Sequence, residues 1–191
     1  MKNANGPLPQ KLLEKKSLAI VSPGNLADMK KYPLAYKKFK ISYIYDPGQQ
    51  ITSLSKQDLL NSLSGAKALI SNDYELALLL KKTGLTMKKL LKLVKMVVTT
   101  KGEKGSVITT VNKKHNIPPA KPKNESDPTG AGDAYRAGFI KGLVAGYPLP
   151  KVGRLAAVVS VYTVEKYGTQ THRFTWKDIR RRYYQNFRER L

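Results

Sequence analysis

Short apolar runs alternate with stretches of helical periodicity over the first hundred residues, and this alternation limits the possible folds more than any other feature. The runs at 17–21, 41–45 and 68–70 predict buried strands, because each is apolar and ends at a turn or polar segment. Parallel strands need crossover connections, which are usually helices. The sequence therefore predicts an α/β fold with a mostly parallel sheet covered by helices on both faces.

Capping signals and glycines divide the intervening sequence into helices. Ser55 and Thr175 each stand three residues before an aspartate, which predicts a helix start, and Gly84 separates two helices. The predicted helices cover 26–39 with a break or kink at Pro33, about 55–63, 73–82, 87–95, 131–145, 151–167, and a last basic helix from about 175.

The pattern changes after the third strand. Two β-rich runs, 96–100 and 106–110, flank a glycine-bearing turn at 101–105, which predicts a hairpin. A loop rich in proline and lysine follows at 117–126. The helix at 151–167 is apolar on most faces, so it is predicted to lie in the interior.

Length and composition exclude several classes of protein. A chain of 191 residues predicts one domain, with a basic extension at 1–16 and a catalytic domain at 17–191. No apolar run is long enough to span a membrane, and we expect a soluble, cytoplasmic protein without a membrane partner. The chain has no cysteine and two histidines, so a catalytic metal would be held by oxygen atoms.

The charge balance indicates a kind of partner but no reaction. Thirty-five Lys and Arg against thirteen Asp and Glu give a net charge of +22, which attracts polyanions such as nucleotides or nucleic acid. The basic residues are spread along the chain, which favours a solvated lysine coat that reflects biased composition over the alternative of a nucleic-acid surface. No recognisable nucleic-acid-binding motif accompanies the charge.

One segment, Asp-Pro-Thr-Gly-Ala-Gly-Asp at 127–133, carries the chemistry. It stands where a loop turns into a helix, so bare backbone amides and the helix dipole favour a bound phosphate. Gly130 and Gly132 allow close approach, and Asp133 in the first turn could accept a proton from a hydroxyl. Alternatively, the glycines only make a tight turn and Asp133 is an ordinary first-turn carboxylate.

This segment, with 134–139 after it, closely resembles the C-terminal signature of the PfkB/ribokinase family of carbohydrate and nucleoside kinases, in a variant similar to the adenosine-kinase-like branch. Two further motifs resemble that family in the expected order: Asn-Asp-Tyr-Glu at 72–75 and Thr-Lys-Gly-Glu-Lys-Gly at 100–105. Taken alone, the first is also a capping box and the second is also a hairpin turn.

The resemblance implies a ribokinase-like fold and transfer of the γ-phosphoryl group of ATP, with Mg²⁺, to a hydroxyl of a sugar or nucleoside. It implies that Asp133 is the base beside an anion hole. The remaining implied site residues are Gly130, Ala131 and Gly132 for the anion hole; Lys101, Gly102, Gly105 and Thr129 for the nucleotide; Asn72 and Glu75 for the metal, with Asn72 also near the nucleotide; and Val161 and Gly168 for the adenine pocket. A helix packed against the sheet would also explain the apolar face around Val161.

The resemblance begins near Ser17, whereas members of the family are usually longer. By this comparison we expect the chain to lack the first strands, the di-glycine segment and the small β-sheet lid that hold the substrate. The chain could then be a fragment completed by a separate half, a short ATP-binding protein, a deliberately minimal version, or an impaired kinase-like scaffold whose basic surface binds nucleic acid or a ribonucleoprotein. Exposed sheet edge and apolar surface would favour a partner or self-association.

Overall fold

The computed structural model describes residues 17–191, which form two compact units. The described part of the first unit comprises 17–98 and 110–112, and the second comprises 99–109 and 113–191. The predicted basic extension at 1–16 lies outside the described residues, and the single domain at 17–191 stays a prediction. No helix within the described range has the length and apolar character that a membrane crossing requires.

The first unit alternates strands and helices as predicted. Its elements are β1 (Leu18–Val21), α1 (Leu26–Lys38), β2 (Ser42–Tyr45), α2 (Lys56–Leu63), β3 (Ala68–Asn72), α3 (Asp73–Thr83), α4 (Met87–Leu93) and the start of β4 (Met96–Thr100). β1 pairs with β2 and β2 with β3, both in parallel. A short 3₁₀ helix at Gly48–Ile51, which the sequence pattern did not predict, follows β2.

Side-chain caps fix where these helices begin. Ser55 and Asp58 form the predicted capping box of α2, in which each side chain accepts a hydrogen bond from the other residue's backbone. Gly84 ends α3 in the left-handed conformation, with φ of +72°. Pro33 lies inside α1, and the helix continues through it to Lys38.

The core of the first unit lies between the sheet and its helices. Tyr43 and Tyr45 of β2 are almost fully buried, and the Tyr43 hydroxyl donates a hydrogen bond to the Ser62 carbonyl at 2.9 Å. Leu59 and Leu79 contribute from α2 and α3. This packing accounts for the apolar runs from which the strands were predicted.

The second unit contains β5 (Ser106–Thr110), whose last residue belongs to the first unit, β6 (Lys114–Ile117), α5 (Ala131–Val144), α6 (Leu149–Val164) and α7 (Trp176–Phe187). β5 and β6 are antiparallel, with Ser106 opposite Ile117. The sheet order is β1-β2-β3-β4-β5-β6. β6 was not predicted, because its first three residues are polar.

Glycine allows α5 and α6 to pack closely. A Cβ atom on Gly138 would lie 2.8 Å from Cα of Ala156, which is closer than such atoms approach in proteins. Leu155 and Val158 are fully buried on α6, and Tyr183 packs against this core from α7. The predicted interior position of α6 is therefore confirmed.

Candidate active site

The N-terminus of α5 begins where the sequence predicts. Gly130 is the N-cap residue and has φ of +82°, in the left-handed region that favours glycine. The first intrahelical hydrogen bond joins the Ala134 amide to the Gly130 carbonyl at 3.0 Å. A Cβ atom on Gly130 would lie 3.1 Å from two side-chain carbons of Thr169, so backbone conformation and packing both favour glycine here.

The first amides of α5 differ in what they contact. Ala131 N–H donates to the Pro128 carbonyl at 3.1 Å, so this predicted member of the anion hole already has an acceptor. The amides of Gly132 and Asp133 belong to the first turn, which an α-helix leaves without intrahelical acceptors. The positive end of the helix dipole adds to their attraction for an anion.

Asp127 connects the loop before α5 to the loop after α6. Its Oδ1 accepts from Thr129 N–H at 2.9 Å, and its Oδ2 accepts from Gly168 N–H at 3.0 Å. Hydrogen bonding by the Thr129 side chain and backbone, and then by Gly168, lowers the pKa of Asp127. No role in the site was predicted for this residue, although it is the first residue of the motif.

Asp133 lies in the first turn of α5, with 83% of its side chain exposed. The carboxylate therefore does not point into the packed interior. Its Oδ1 accepts a hydrogen bond from Nη1 of Arg136 at 3.1 Å, and the Arg136 side chain is only 17% exposed. A largely buried cation three residues along the same helix thus holds the exposed carboxylate.

The glycine turn between β4 and β5 is closed by its own backbone. Lys101 N–H donates to the Gly105 carbonyl at 2.8 Å, and Gly105 N–H donates to the Gly102 carbonyl at 3.0 Å. Gly105 has φ of +79°, and a Cβ atom there would lie 2.2 Å from the Ile117 carbonyl oxygen. Glycine at 105 is therefore required by the backbone and by the neighbouring strand, whereas Lys101 is exposed.

A cavity of about 320 Å³ within the second unit brings parts of two motifs together. Five of the predicted site residues line it, namely Gly102, Gly105, Ala131, Gly132 and Val161. Five others from this unit are outside its lining, namely Lys101, Thr129, Gly130, Asp133 and Gly168. The lining residues that no motif predicted include Pro119, Pro122, Glu125, Ala157 and Ser160.

Buried polar contacts hold the wall of this cavity. The hydroxyls of Ser106 and Tyr135 are 2.7 Å apart, and burial raises the pKa of Tyr135 to about 12. The hydroxyl of Ser160 donates to the Ala131 carbonyl at 3.0 Å, which connects α6 to the start of α5. The apolar side and the amide-bearing side of the cavity are thus fixed to each other.

The predicted metal residues belong to the first unit. Asn72 Oδ1 accepts from Glu75 N–H at 2.7 Å, and Glu75 Oε2 accepts from Asn72 N–H at 2.9 Å, so the pair forms a capping box at the start of α3. Among residues 17–191 there is no group of three or more His, Asp or Glu that could hold a metal ion. One carboxylate and one amide suit Mg²⁺ that keeps most of its waters and is also bound by phosphates.

The chain is similar to a known protein family and to named relatives. The model of the pfkB family carbohydrate kinases matches residues 21–176. The nucleoside kinase of Methanocaldococcus jannaschii is 39% identical over 135 residues, which cover 71% of this chain and 45% of the relative. The nucleoside kinase of Methanothermobacter thermautotrophicus is 35% identical over 131 residues, covering 67% and 41%. The chain thus spans about half the length of the curated relatives it matches.

The fold is also similar to that of a solved kinase. The structure of Burkholderia thailandensis nucleoside kinase in complex with ADP-inosine matches with a TM-score of 0.90 and 30% sequence identity, over 93% of this chain and 56% of that chain. This similarity confirms the ribokinase-like α/β fold inferred from the sequence. The family match covers most of the chain and includes all three motifs, and the chain therefore belongs to the PfkB family of carbohydrate kinases.

Proposed function

We propose that this chain carries the phosphate-donor site of an ATP-dependent kinase that phosphorylates a hydroxyl of a nucleoside or sugar. One observation carries the proposal: the amide-bearing start of α5 and the glycine turn line the same cavity, and Asp133 is exposed in the first turn of that helix. The named relatives favour a nucleoside acceptor, because they are nucleoside kinases and a similar solved structure is a complex with ADP-inosine.

The cavity would hold the nucleotide in two parts. Ala157, Val161 and Val164 give one side an apolar surface suited to the adenine ring. Gly102 and Gly105 allow the phosphates to approach the backbone of the turn, and Lys101 is exposed beside them. Thr129 and Gly168 would act indirectly, because Asp127 holds the backbone of both.

Charge stabilisation supplies most of the catalysis in phosphoryl transfer. The first-turn amides of Gly132 and Asp133 would donate hydrogen bonds to the equatorial oxygens of the transferring group, where negative charge is spread in the transition state. Gly130, the N-cap residue, gives the chain its left-handed turn immediately before this first turn of α5. For the Ala131 amide to join them, its bond to Pro128 would have to open.

Asp133 would act as the base. As the acceptor oxygen bonds to the γ-phosphorus, the bond from that phosphorus to the bridging oxygen breaks and ADP leaves, while the hydroxyl proton passes to the Asp133 carboxylate. The exposed position of this carboxylate leaves it accessible to an acceptor. Arg136 would orient it, since the guanidinium contacts Oδ1.

Magnesium would neutralise phosphate charge during the transfer. Asn72 and Glu75 are suited to holding Mg²⁺ through its waters, because their oxygens already serve the capping box and do not form a closed ligand cage. ATP as the donor is consistent with action in the cytoplasm. The groups that hold the acceptor would belong to the portion of the relatives that this chain does not match.

The test separates nucleotide binding from turnover. The melting temperature is measured with ATP alone, with Mg²⁺ alone and with both, and ATP consumption is then followed with inosine, cytidine, adenosine and ribose. We expect ATP with Mg²⁺ to raise the melting temperature, since a ligand that binds only the folded state stabilises it. We expect a nucleoside to stimulate ATP consumption more than ribose does.

Two results would contradict the proposal. If ATP at millimolar concentration does not change the melting temperature, there is no donor site. If ATP binds but Gly132→Val leaves its affinity unchanged, the nucleotide binds somewhere other than the α5 cavity, which Ala131, Gly132 and the glycine turn line.

A further inference from the structure

The second unit has another cavity, of about 470 Å³, which shares no lining residue with the α5 cavity. Its lining is mainly polar and includes the cationic side chains of Lys123, Arg173, Arg181 and Arg182. Tyr162 and Asp178 also line it. The transfer chemistry proposed above uses none of these residues.

Arg182 gives this basic cavity a fixed wall. Its side chain is 7% exposed, and its Nη1 and Nη2 atoms lie 2.5 Å and 3.2 Å from Oε1 and Oε2 of Glu165. Its guanidinium also lies 4.6 Å from the centre of the Tyr162 ring. Paired contacts of this kind hold a guanidinium in one orientation, so a ligand would meet a preformed group.

Glu165 is bound from a second direction as well. The backbone N–H of Lys123 donates to its Oε1 at 2.6 Å. Burial acts to raise the pKa of Glu165, but the hydrogen bonds from Arg182 and Lys123 outweigh it and lower the pKa overall. The carboxylate is therefore ionised at neutral pH and satisfied by its neighbours.

The balance of charge at the basic cavity is positive. Asp178 Oδ1 accepts from Arg181 Nη2 at 2.8 Å, and Glu165 balances Arg182. The lining thus carries four cationic residues, of which two are paired with carboxylates, and Lys123 and Arg173 supply the excess positive charge. This excess positive charge attracts an anion. Because charge-assisted hydrogen bonds are strong, an anion that offers several oxygen atoms would bind best.

The contacts of Tyr162 in the basic cavity argue against a ligand that binds by stacking a nucleobase. The Tyr162 ring contacts the Arg182 guanidinium and lies 5.0 Å from the Phe174 ring, centre to centre. These contacts occupy the surfaces on which a nucleobase would stack. We propose that the basic cavity binds a compact, multiply charged phosphate group, either as free pyrophosphate or as the phosphate tail of a nucleotide, independently of the donor site.

The experiment compares two double variants of the full chain by calorimetric titration with pyrophosphate. Lys123→Gln with Arg173→Gln removes the excess charge of the basic cavity. Lys177→Gln with Arg180→Gln is the matched control, because it removes the same charge from exposed positions outside both cavities. Each charge-assisted hydrogen bond contributes about tenfold in affinity, so we expect binding to weaken by about tenfold or more in the cavity variant and by less than about threefold in the control.

An ADP titration identifies the source of the phosphate. If the cavity variant loses one of two ADP binding events, the ligand is a nucleotide tail; if its ADP titration matches wild type, the ligand is the free anion. The proposal is overturned if both double variants weaken pyrophosphate binding equally, if neither does, or if a single-stranded RNA displaces pyrophosphate from wild type and requires Lys123 and Arg173. Arg173→Gln alone, at an exposed position, serves if the double variant does not fold.

Discussion

Asp127 holds the backbone of Gly168, a residue 41 positions further along the chain: the Asp127 Oδ2 atom accepts the Gly168 N–H at 3.0 Å. The other oxygen of the same carboxylate accepts the Thr129 N–H one residue before the N-cap of α5. One side chain therefore connects the turn before α5 to the loop that follows α6.

Replacing Asp127 by Asn should weaken ATP binding more than it weakens the fold. An Asn side chain can accept only one of the two amide hydrogen bonds, so one loop loses its partner. We expect the KM for ATP to rise roughly tenfold, as for the loss of one charge-assisted hydrogen bond. Steady-state kinetics would show this, and a fall in kcat with an unchanged KM would contradict it.

Gly105→Ala should destabilise the protein strongly. The new Cβ atom would meet the Ile117 carbonyl oxygen at 2.2 Å, and φ would stay at +79°. We expect a loss of about 3 kcal/mol or more in unfolding free energy, because strain and overpacking add. Urea denaturation followed by circular dichroism measures this.

The matched control is Gly146→Ala. Gly146 has φ of +73°, and a Cβ atom added there would meet nothing within 4 Å, so it reports the conformational cost alone. We expect a loss of about 1 kcal/mol there. Equal losses at the two positions would show that the contact with Ile117 is unimportant.

Glu165→Gln should cost about 3 kcal/mol of unfolding free energy, because it leaves the buried Arg182 cation without its carboxylate. Glu189→Gln is the control: Glu189 pairs with Arg154, but its side chain is 41% exposed. Exposed ion pairs contribute about 0–1 kcal/mol. Similar losses in the two variants would contradict the structural difference between the two pairs.

The same substitution should change the dependence of stability on pH. The pKa of Glu165 is lower in the folded protein than its ordinary value of 4.5, so its contribution is present above that value and is lost as the pH falls through the folded pKa. We therefore expect the difference in unfolding free energy between wild type and Glu165→Gln to shrink as the pH is lowered below about 4.5. A difference that stays constant down to pH 3 would exclude this linkage.

Much of the fold could be predicted because its signals are local. The Ser55–Asp58 and Thr175–Asp178 capping boxes were predicted from spacing alone, and both are present. β4 and β5 also begin and end at the predicted residues. Apolar runs and caps act over a few residues, so they can be recognised without tertiary contacts.

The parts of the fold that were missed depend on contacts between distant residues, or on positions where a helix tolerates a proline. β6 has polar residues at Lys114, His115 and Asn116, and it forms because β5 supplies hydrogen-bonding partners. α6 begins at Leu149 because Pro150 in the first turn has no need of an intrahelical hydrogen bond. The contact between Asp127 and Gly168 joins residues that no local pattern relates.

In the candidate site, too, local features were predicted and features that depend on distant contacts were missed. The start of α5, its glycine N-cap and the first-turn position of Asp133 followed from the motif. The contact between Arg136 and Asp133 has the ordinary i,i+3 spacing of a helical ion pair, and that signal could have identified it. Residues such as Pro119 and Pro122 carry no motif and reach the cavity only through the path of their loop.

The central claim is that the carboxylate of Asp133 accepts the proton of the acceptor hydroxyl, and Asp133→Asn tests it most directly. Asp28→Asn is the matched control, because Asp28 is the third residue of α1 as Asp133 is the third residue of α5. Both substitutions remove a first-turn carboxylate and the few tenths of a kcal/mol that it contributes through the helix dipole. Asp133→Asn also removes the contact with Arg136, so the melting temperature of both variants is measured, and a difference in kcat between two folded variants reports chemistry.

The measurement is the rate of nucleoside-dependent ADP formation together with the affinity for ATP, in wild type and both variants. We predict that Asp133→Asn lowers kcat by about 10² or more while the affinity for ATP changes by less than about threefold, and that Asp28→Asn leaves both unchanged. An Asp133→Asn variant that turns over at the wild-type rate would contradict the account.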